Sequence, residues 1–145
     1  MRAAYKFRDD IVAADVAFEA EADSLGELLE QCGLAVENTM IEDLAAIRPR
    51  VTKTWTHESE SAEQLVFEFL QELIFLKDAE LLVFGAVRAR AEKKGAAWVA
   101  NVTMQGEPVD GSRHEQAVDV KAVTYHMYKV EARGGRWKAF VVLDV

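Results

Sequence analysis

The stretch SAEQLVFEFLQELIFLKD, residues 61–78, limits the fold more than any other. Its period is helical, and its apolar residues spread over more than half of the helix circumference. They are Leu65, Val66, Phe67, Phe69, Leu70, Leu73, Ile74, Phe75 and Leu76. A helix apolar over so wide an arc is central and must be covered on several sides. The rest of the chain is therefore read as its cover.

One piece of that cover is a second helix, in SLGELLEQCGLAVENTM at 24–40. Ser24 and Glu27 have capping-box spacing, in which each side chain satisfies an orphan N–H of the first turn. Leu25, Leu28, Leu29, Cys32, Val36 and Met40 fall on one face. Gly26 and Gly33 each weaken such a helix by roughly 1 kcal/mol relative to Ala, so packing has to hold it together.

The remaining cover is sheet. Residues 4–8 and 15–21 read as strands, the second with Val16, Phe18 and Ala20 alternating at the period of a half-buried strand. VTKTWTH, around 50–57, is rich in β-branched residues. After residue 80 the chain reads as strands alone: LLVFGAVRARAE and AAWVANVTM joined by KKG, then VDVKAVTYHMYKVEAR and RWKAFVVLDV joined at Gly134–Gly135. Gly-Gly supplies the positive φ of a tight hairpin. The order is ββαβα followed by a β-meander of four or five strands. Strands segregated from helices predict an α+β fold with mostly antiparallel pairing, in a single domain over 1–145. Between these strands, QGEPVDGSRHEQAVD at 105–119 has no clear period, and loops that long in a compact domain are usually functional or mobile.

Charge narrows the function. The chain has 25 acidic and 17 basic side chains, a net charge of −8, which opposes strong direct binding to a phosphate backbone and suits a basic partner or a bound cation. A single cysteine, Cys32, excludes an internal disulfide and fits a reducing compartment. No apolar run reaches the roughly 18 residues that span a bilayer, and MRAAYKFRDD has no signal core, so a cytoplasmic protein is expected.

Motifs for chemistry are sparse. GEPVDGS lacks the lysine and spacing of a phosphate-cradling loop. One Cys and scattered His57, His114 and His126 make no zinc set. Cys32 lies on an apolar helix stripe and reads as core. Glu68 and Glu72 share a helix face and read as solvated or partner-paired. His126 reads as a satisfied structural histidine. His114, beside Arg113 in the long loop, is the exposed polar candidate for a contact role. Asp9, Asp10 and Asp15 cluster between the first two strands, and the sequence ends on Asp144 and the carboxylate of Val145. If these ends meet, they form an oxygen site for Ca²⁺ or Mg²⁺; if not, they are surface acids solvated separately. Spacing leaves both open. A small metal-dependent hydrolase, with His114 as acid/base, and a chaperone-like binding module also fit these residues.

Several pieces in order are similar to the archease family: ADVAF followed by SLGEL, FEFLQELIFLKDAE, VKAVTYHMYKVE, GEPVD with RHE, and the ending VVLDV. The resemblance covers essentially the whole chain. It implies a non-catalytic protein cofactor of an RtcB-type RNA ligase in tRNA splicing and RNA repair, promoting guanylylation of the ligase histidine and repeated turnover. It also implies a divalent metal, commonly calcium, held here by Asp15, Asp144 and Val145. The family's Glu-His-Thr-Ala-Asp reads Ile11, Val12, Ala13, Ala14, Asp15 in this chain, so the polar residues before the aspartate are replaced and Asp9 or Asp10 are the nearby substitutes.

Overall fold

The computed structural model describes residues 2–10 and 15–145. Strands β1 (Ala4–Phe7) and β2 (Val16–Ala22) lead into helix α1 (Leu25–Met40). A short 3₁₀ turn precedes β3 (Val51–Ser59), helix α2 (Ala62–Glu80), β4 (Leu82–Lys94), β5 (Ala97–Pro108), β6 (Ala122–Arg133) and β7 (Arg136–Asp144). All strand pairs are antiparallel, in two sheets ordered β1-β2-β7-β6 and β3-β5-β4. The α+β class and the element order follow the expectation from sequence. The last four strands are not one continuous meander, however. They are two hairpins, the first joining β3 and the second joining β2, with the segment 109–121 carrying the chain from one sheet to the other.

The two helices lie between the sheets. Helix α2 packs against α1, against β6 of one sheet and against β3, β4 and β5 of the other. Its Leu65, Val66, Phe67, Phe69, Leu70, Leu73, Ile74 and Leu76 are buried, while Phe75 stays 58% exposed on the remaining face. The Ser61 side chain accepts the Gln64 N–H at its start, and Leu81 closes its end in the left-handed region at φ 57°, donating its N–H to the Leu76 and Lys77 carbonyls. At α1, Ser24 accepts the Glu27 N–H, and its hydroxyl donates to the Glu27 carboxylate.

The two costly glycines of α1 have a packing reason. A Cβ on Gly26 would lie 2.7 Å from the Ala89 carbonyl oxygen, and one on Gly33 would lie 3.0 Å from the Phe69 ring. Helix propensity is given up so that α1 can touch the backbone of β4 and the ring of α2. Among the described residues, no helix is long and apolar enough to cross a membrane.

Candidate functional site

Strands β2 and β7 run side by side, with Val16 opposite Leu143, Ala17 opposite Val142 and Phe18 opposite Val141. One face of this pair, through Phe18, Ala20, Val141 and Leu143, joins the main core against the helices. Ala17 and Val142 are buried too, but on the other face. Asp15 lies one residue before Val16 and Asp144 one residue after Leu143, so the two flank the same end of this ladder. Like charges brought together at a strand end repel. Asp15 is half-buried and Asp144 exposed. Neither carboxylate has an ion-pair partner among the described residues. The Asp144 carbonyl accepts the Lys121 N–H at 2.8 Å, which ties the end of the loop segment to this corner. Val145 is half-buried against the core edge.

This donor set is all oxygen, as a hard cation requires. Its side-chain part is two carboxylates. No group of three or more His, Cys, Asp or Glu able to hold a metal forms among the described residues. Asp10 is not free to serve: Arg8 holds it through two bonds of 2.9 Å and also reaches Glu19 at 3.1 Å. The Arg8 hydrogen bond keeps the Asp10 carboxyl down at about 2. Ile11, Val12, Ala13 and Ala14 lie outside the described residues.

His114 is not the exposed loop residue expected; it is 2% exposed. Its Nδ1 accepts the Asp110 N–H at 2.9 Å, so Nε2 carries the hydrogen and donates to Glu107 at 2.9 Å. Glu107 is also buried. It receives the Arg113 guanidinium at 2.6 Å and the Arg48 N–H at 2.7 Å. These donors, Arg113 first, hold its carboxyl down at about 2. The segment GEPVDGSRH is therefore a brace. A buried carboxylate at the end of β5 gathers its own loop and the turn before β3, and its charge stays affordable because every donor is in place. Arg113 also bonds the Ala46 carbonyl at 3.3 Å.

His126 is not a satisfied interior histidine either. The β6–β7 register breaks between Thr124 and Lys129, and His126 stands exposed in this bulge. Met127 there is at φ 56°, and Tyr125 stacks on Phe67 with ring centroids 4.0 Å apart. Glu68 is partner-paired, accepting the Ser59 hydroxyl and lying 3.0 Å from His57 Nε2. Cys32 is fully buried, and burial pushes its thiol far above the ordinary range.

Two acids that look like polar-face residues in the sequence have structural work. Glu30 and Glu37, two helical turns apart on α1, reach the outer edge of β4. The Ala89 N–H donates to Glu30 at 2.9 Å and the Phe84 N–H donates to Glu37 at 2.8 Å. Glu37 is wholly buried and its other carboxyl oxygen has no partner among the described residues. Desolvation pushes its carboxyl up to about 8. The only signal in sequence is the seven-residue spacing of the two acids next to the apolar stripe.

The family model of the archease protein family matches residues 5–145. The protein archease of Pyrococcus furiosus is 35% identical over 133 residues, covering 91% of this chain and 93% of the relative. That of Thermococcus gammatolerans is 36% identical over 133 residues, with the same coverage. The fold is similar to the solution structure of Methanobacterium thermoautotrophicum protein 1598, with a TM-score of 0.84, 30% identity and coverage of 97% of this chain and 98% of the other. It also resembles the crystal structure of an archease from Thermotoga maritima described as a "possible chaperone", at a TM-score of 0.62 and 23% identity over 97% of this chain and 98% of the other.

Proposed function

The chain belongs to the archease family, and from that premise we propose that it is a non-catalytic, cytoplasmic protein cofactor of an RtcB-type RNA ligase in tRNA splicing and RNA repair. In this reading it promotes guanylylation of the ligase histidine, so that the ligase turns over repeatedly. The observation that supports the reading is that Asp15 and Asp144 flank the same end of the β2–β7 ladder, with no ion-pair partner for either among the described residues.

The carboxylates of Asp15 and Asp144, with the Val145 carboxylate, are the proposed holders of a divalent cation, calcium or magnesium. When bound, such an ion supplies positive charge that anionic phosphate oxygens can share. The chain's own part is to hold the two aspartates at one end of the β2–β7 ladder, next to the buried Ala17 and Val142. The acidic balance of the chain suits approach to a ligase surface built to hold RNA and disfavours direct RNA binding.

The test is a guanylylation and ligation assay with a purified RtcB-type ligase that stalls after one cycle. The protein in substoichiometric amount should restore turnover, and alone it should hydrolyse no phosphoester. Asp144→Asn, or a short extension after Val145, should lower both metal affinity and stimulation, while an N-terminal tag should lower neither. A ligase whose guanylylation rate is the same with and without the protein would refute the cofactor reading. Phosphoester hydrolysis by the protein alone would favour a metal-dependent hydrolase instead.

A further inference from the structure

Each of the two sheets ends in two edges, and an open edge is a template for another strand. Three of the four are blunted by visible devices. Strand β1 is only four residues long. Strand β6 is broken by the bulge at Tyr125–Tyr128. The outer edge of β4 is covered by α1, whose Glu30 and Glu37 accept the Ala89 and Phe84 N–H groups.

Strand β3 has none of these three devices; its edge lysine, Lys53, is taken up by Glu80 of α2 at 2.9 Å. It pairs with β5 over nine residues without a register break. Among the described residues, no loop or side chain bonds its outward backbone. Its solvent face carries Thr52, Thr54 and Thr56, residues that favour strand pairing. On the other face, Lys53 and His57 are held by Glu80 and Glu68 of α2, and each keeps 37% of its side chain exposed.

The charge along this edge is polar in the sense of having two ends. Arg48 and Arg50 lie before its start and Lys53, already paired with Glu80, in its first half; Glu58 lies in its second half, and Glu60 and Glu63 after its end. An antiparallel copy of the same edge meets this pattern with its own opposite. We propose that β3 pairs antiparallel with β3 of a second copy of this chain, centred on Trp55, so that Arg50 of one copy faces Glu60 of the other on both sides of the axis. Thr54 then faces Thr56, a favourable cross-strand pair. The result is one six-stranded sheet across an isologous two-fold interface. It closes there, because each outer end is a β4 edge already covered by α1. Nine residues per copy make a small interface, so the dimer is weak and depends on concentration.

Sedimentation equilibrium on the full chain tests this, run from micromolar to near-millimolar protein. The wild type should shift from monomer to dimer, and added salt should oppose the shift. The exposed double variant E58K/E60K should raise the dimer Kd about tenfold or more, because two attractive ends become repulsive. Adding R50E to E60K should restore pairing. Arg50 lies 3.9 Å from Glu107, so this rescue is read only on protein with a wild-type circular dichroism spectrum. Hydrogen exchange gives an independent measure: outward β3 amides should slow as protein concentration rises. A wild type that stays monomeric throughout overturns the proposal, as does a dimer that E58K/E60K leaves intact. Protection of β3 that appears only on adding a different protein, and not with self-concentration, assigns the edge to a foreign strand and also overturns it.

Discussion

Glu37 makes the stability of this fold depend on pH in a direction opposite to most carboxylates. The side chain is wholly buried between α1 and β4, with one oxygen bonded to the Phe84 N–H and the other without a partner among the described residues. Burial raises its carboxyl from 4.5 to about 8, against the smaller opposing pull of the Phe84 N–H and the Lys77 charge. The folded state therefore binds a proton that the unfolded chain releases, between pH 4.5 and 8. Stability from this group is complete below 4.5 and is lost as pH rises through 8. Each pH unit in that window costs about 1.4 kcal/mol, so the loss is about 3 kcal/mol by pH 7 and about 5 kcal/mol above pH 8, as an upper bound before relaxation. Glu37→Gln keeps the acceptor for Phe84 and cannot ionise. Like the protonated acid, it leaves one polar group unpartnered, so the two proteins should be nearly equal at pH 4.5. Urea unfolding followed by tryptophan fluorescence, at several pH values from 4.5 to 9, gives the difference directly. Subtracting the variant removes the contributions of all other titrating groups that stay unchanged. The variant should become the more stable protein as pH rises. A difference that is flat across this range would refute the reasoning.

Other substitutions probe the core, the brace and the close helix contact. Phe69→Ala and Leu70→Ala, both wholly buried in α2, should cost about 3–5 and 2–5 kcal/mol in chemical unfolding; a change below half a kcal/mol at both would mean that α2 is not central. His114→Ala should lower the melting temperature measurably, because it removes a donor to the buried Glu107 carboxylate and leaves the Asp110 N–H without its acceptor. An unchanged melting temperature would show that the brace closes without His114. Gly26→Ala, which improves helix propensity, should nevertheless destabilise, because its Cβ would sit 2.7 Å from the Ala89 oxygen; a more stable variant would show that α1 can move off β4.

What sequence could show followed the range of the interactions. Local period and capping marked both helices, and the Gly134–Gly135 turn marked the final hairpin, with both glycines at positive φ in the structure. Partner choice is nonlocal, and so the division of the last four strands between two sheets was not legible: each hairpin reads alike whichever sheet it joins. His114 was misplaced for the same reason. Its partner Glu107 is only seven residues away, but whether the pair faces solvent or the interior depends on Arg48 and Arg113 arriving from other directions. His126 sits in a regular-looking strand pattern, and nothing local marks the bulge that exposes it. Asp15 and Asp144 could be named from resemblance, but only the β2–β7 pairing brings them to one end of the same ladder.

The way this chain treats its other close acids sharpens the argument for that pair. Asp10 and Glu19 share Arg8, Asp78 and Asp119 share Lys77, and Glu21 and Asp23 share Arg136. In each case one cationic side chain lies between two carboxylates and offsets their repulsion. Where a carboxylate is buried, the fold either surrounds it with donors, as at Glu107, or keeps it protonated, as at Glu37. Asp15 and Asp144 receive none of these treatments among the described residues. They flank one strand end, half-buried and exposed respectively, and lack the bridging base that three other acid pairs possess. A divalent cation from solution would take the place that Arg8, Lys77 and Arg136 take elsewhere. Placing that charge in the chain itself should therefore substitute for the ion in stability and not in function. Asp15→Lys should raise the melting temperature in chelator relative to the wild type, by pairing with Asp144, while abolishing the proposed stabilisation by calcium and the proposed stimulation of a ligase. If chelator leaves the wild-type melting temperature unchanged, and Asp15→Lys gains nothing there, the two carboxylates do not repel and the case for a shared cation falls.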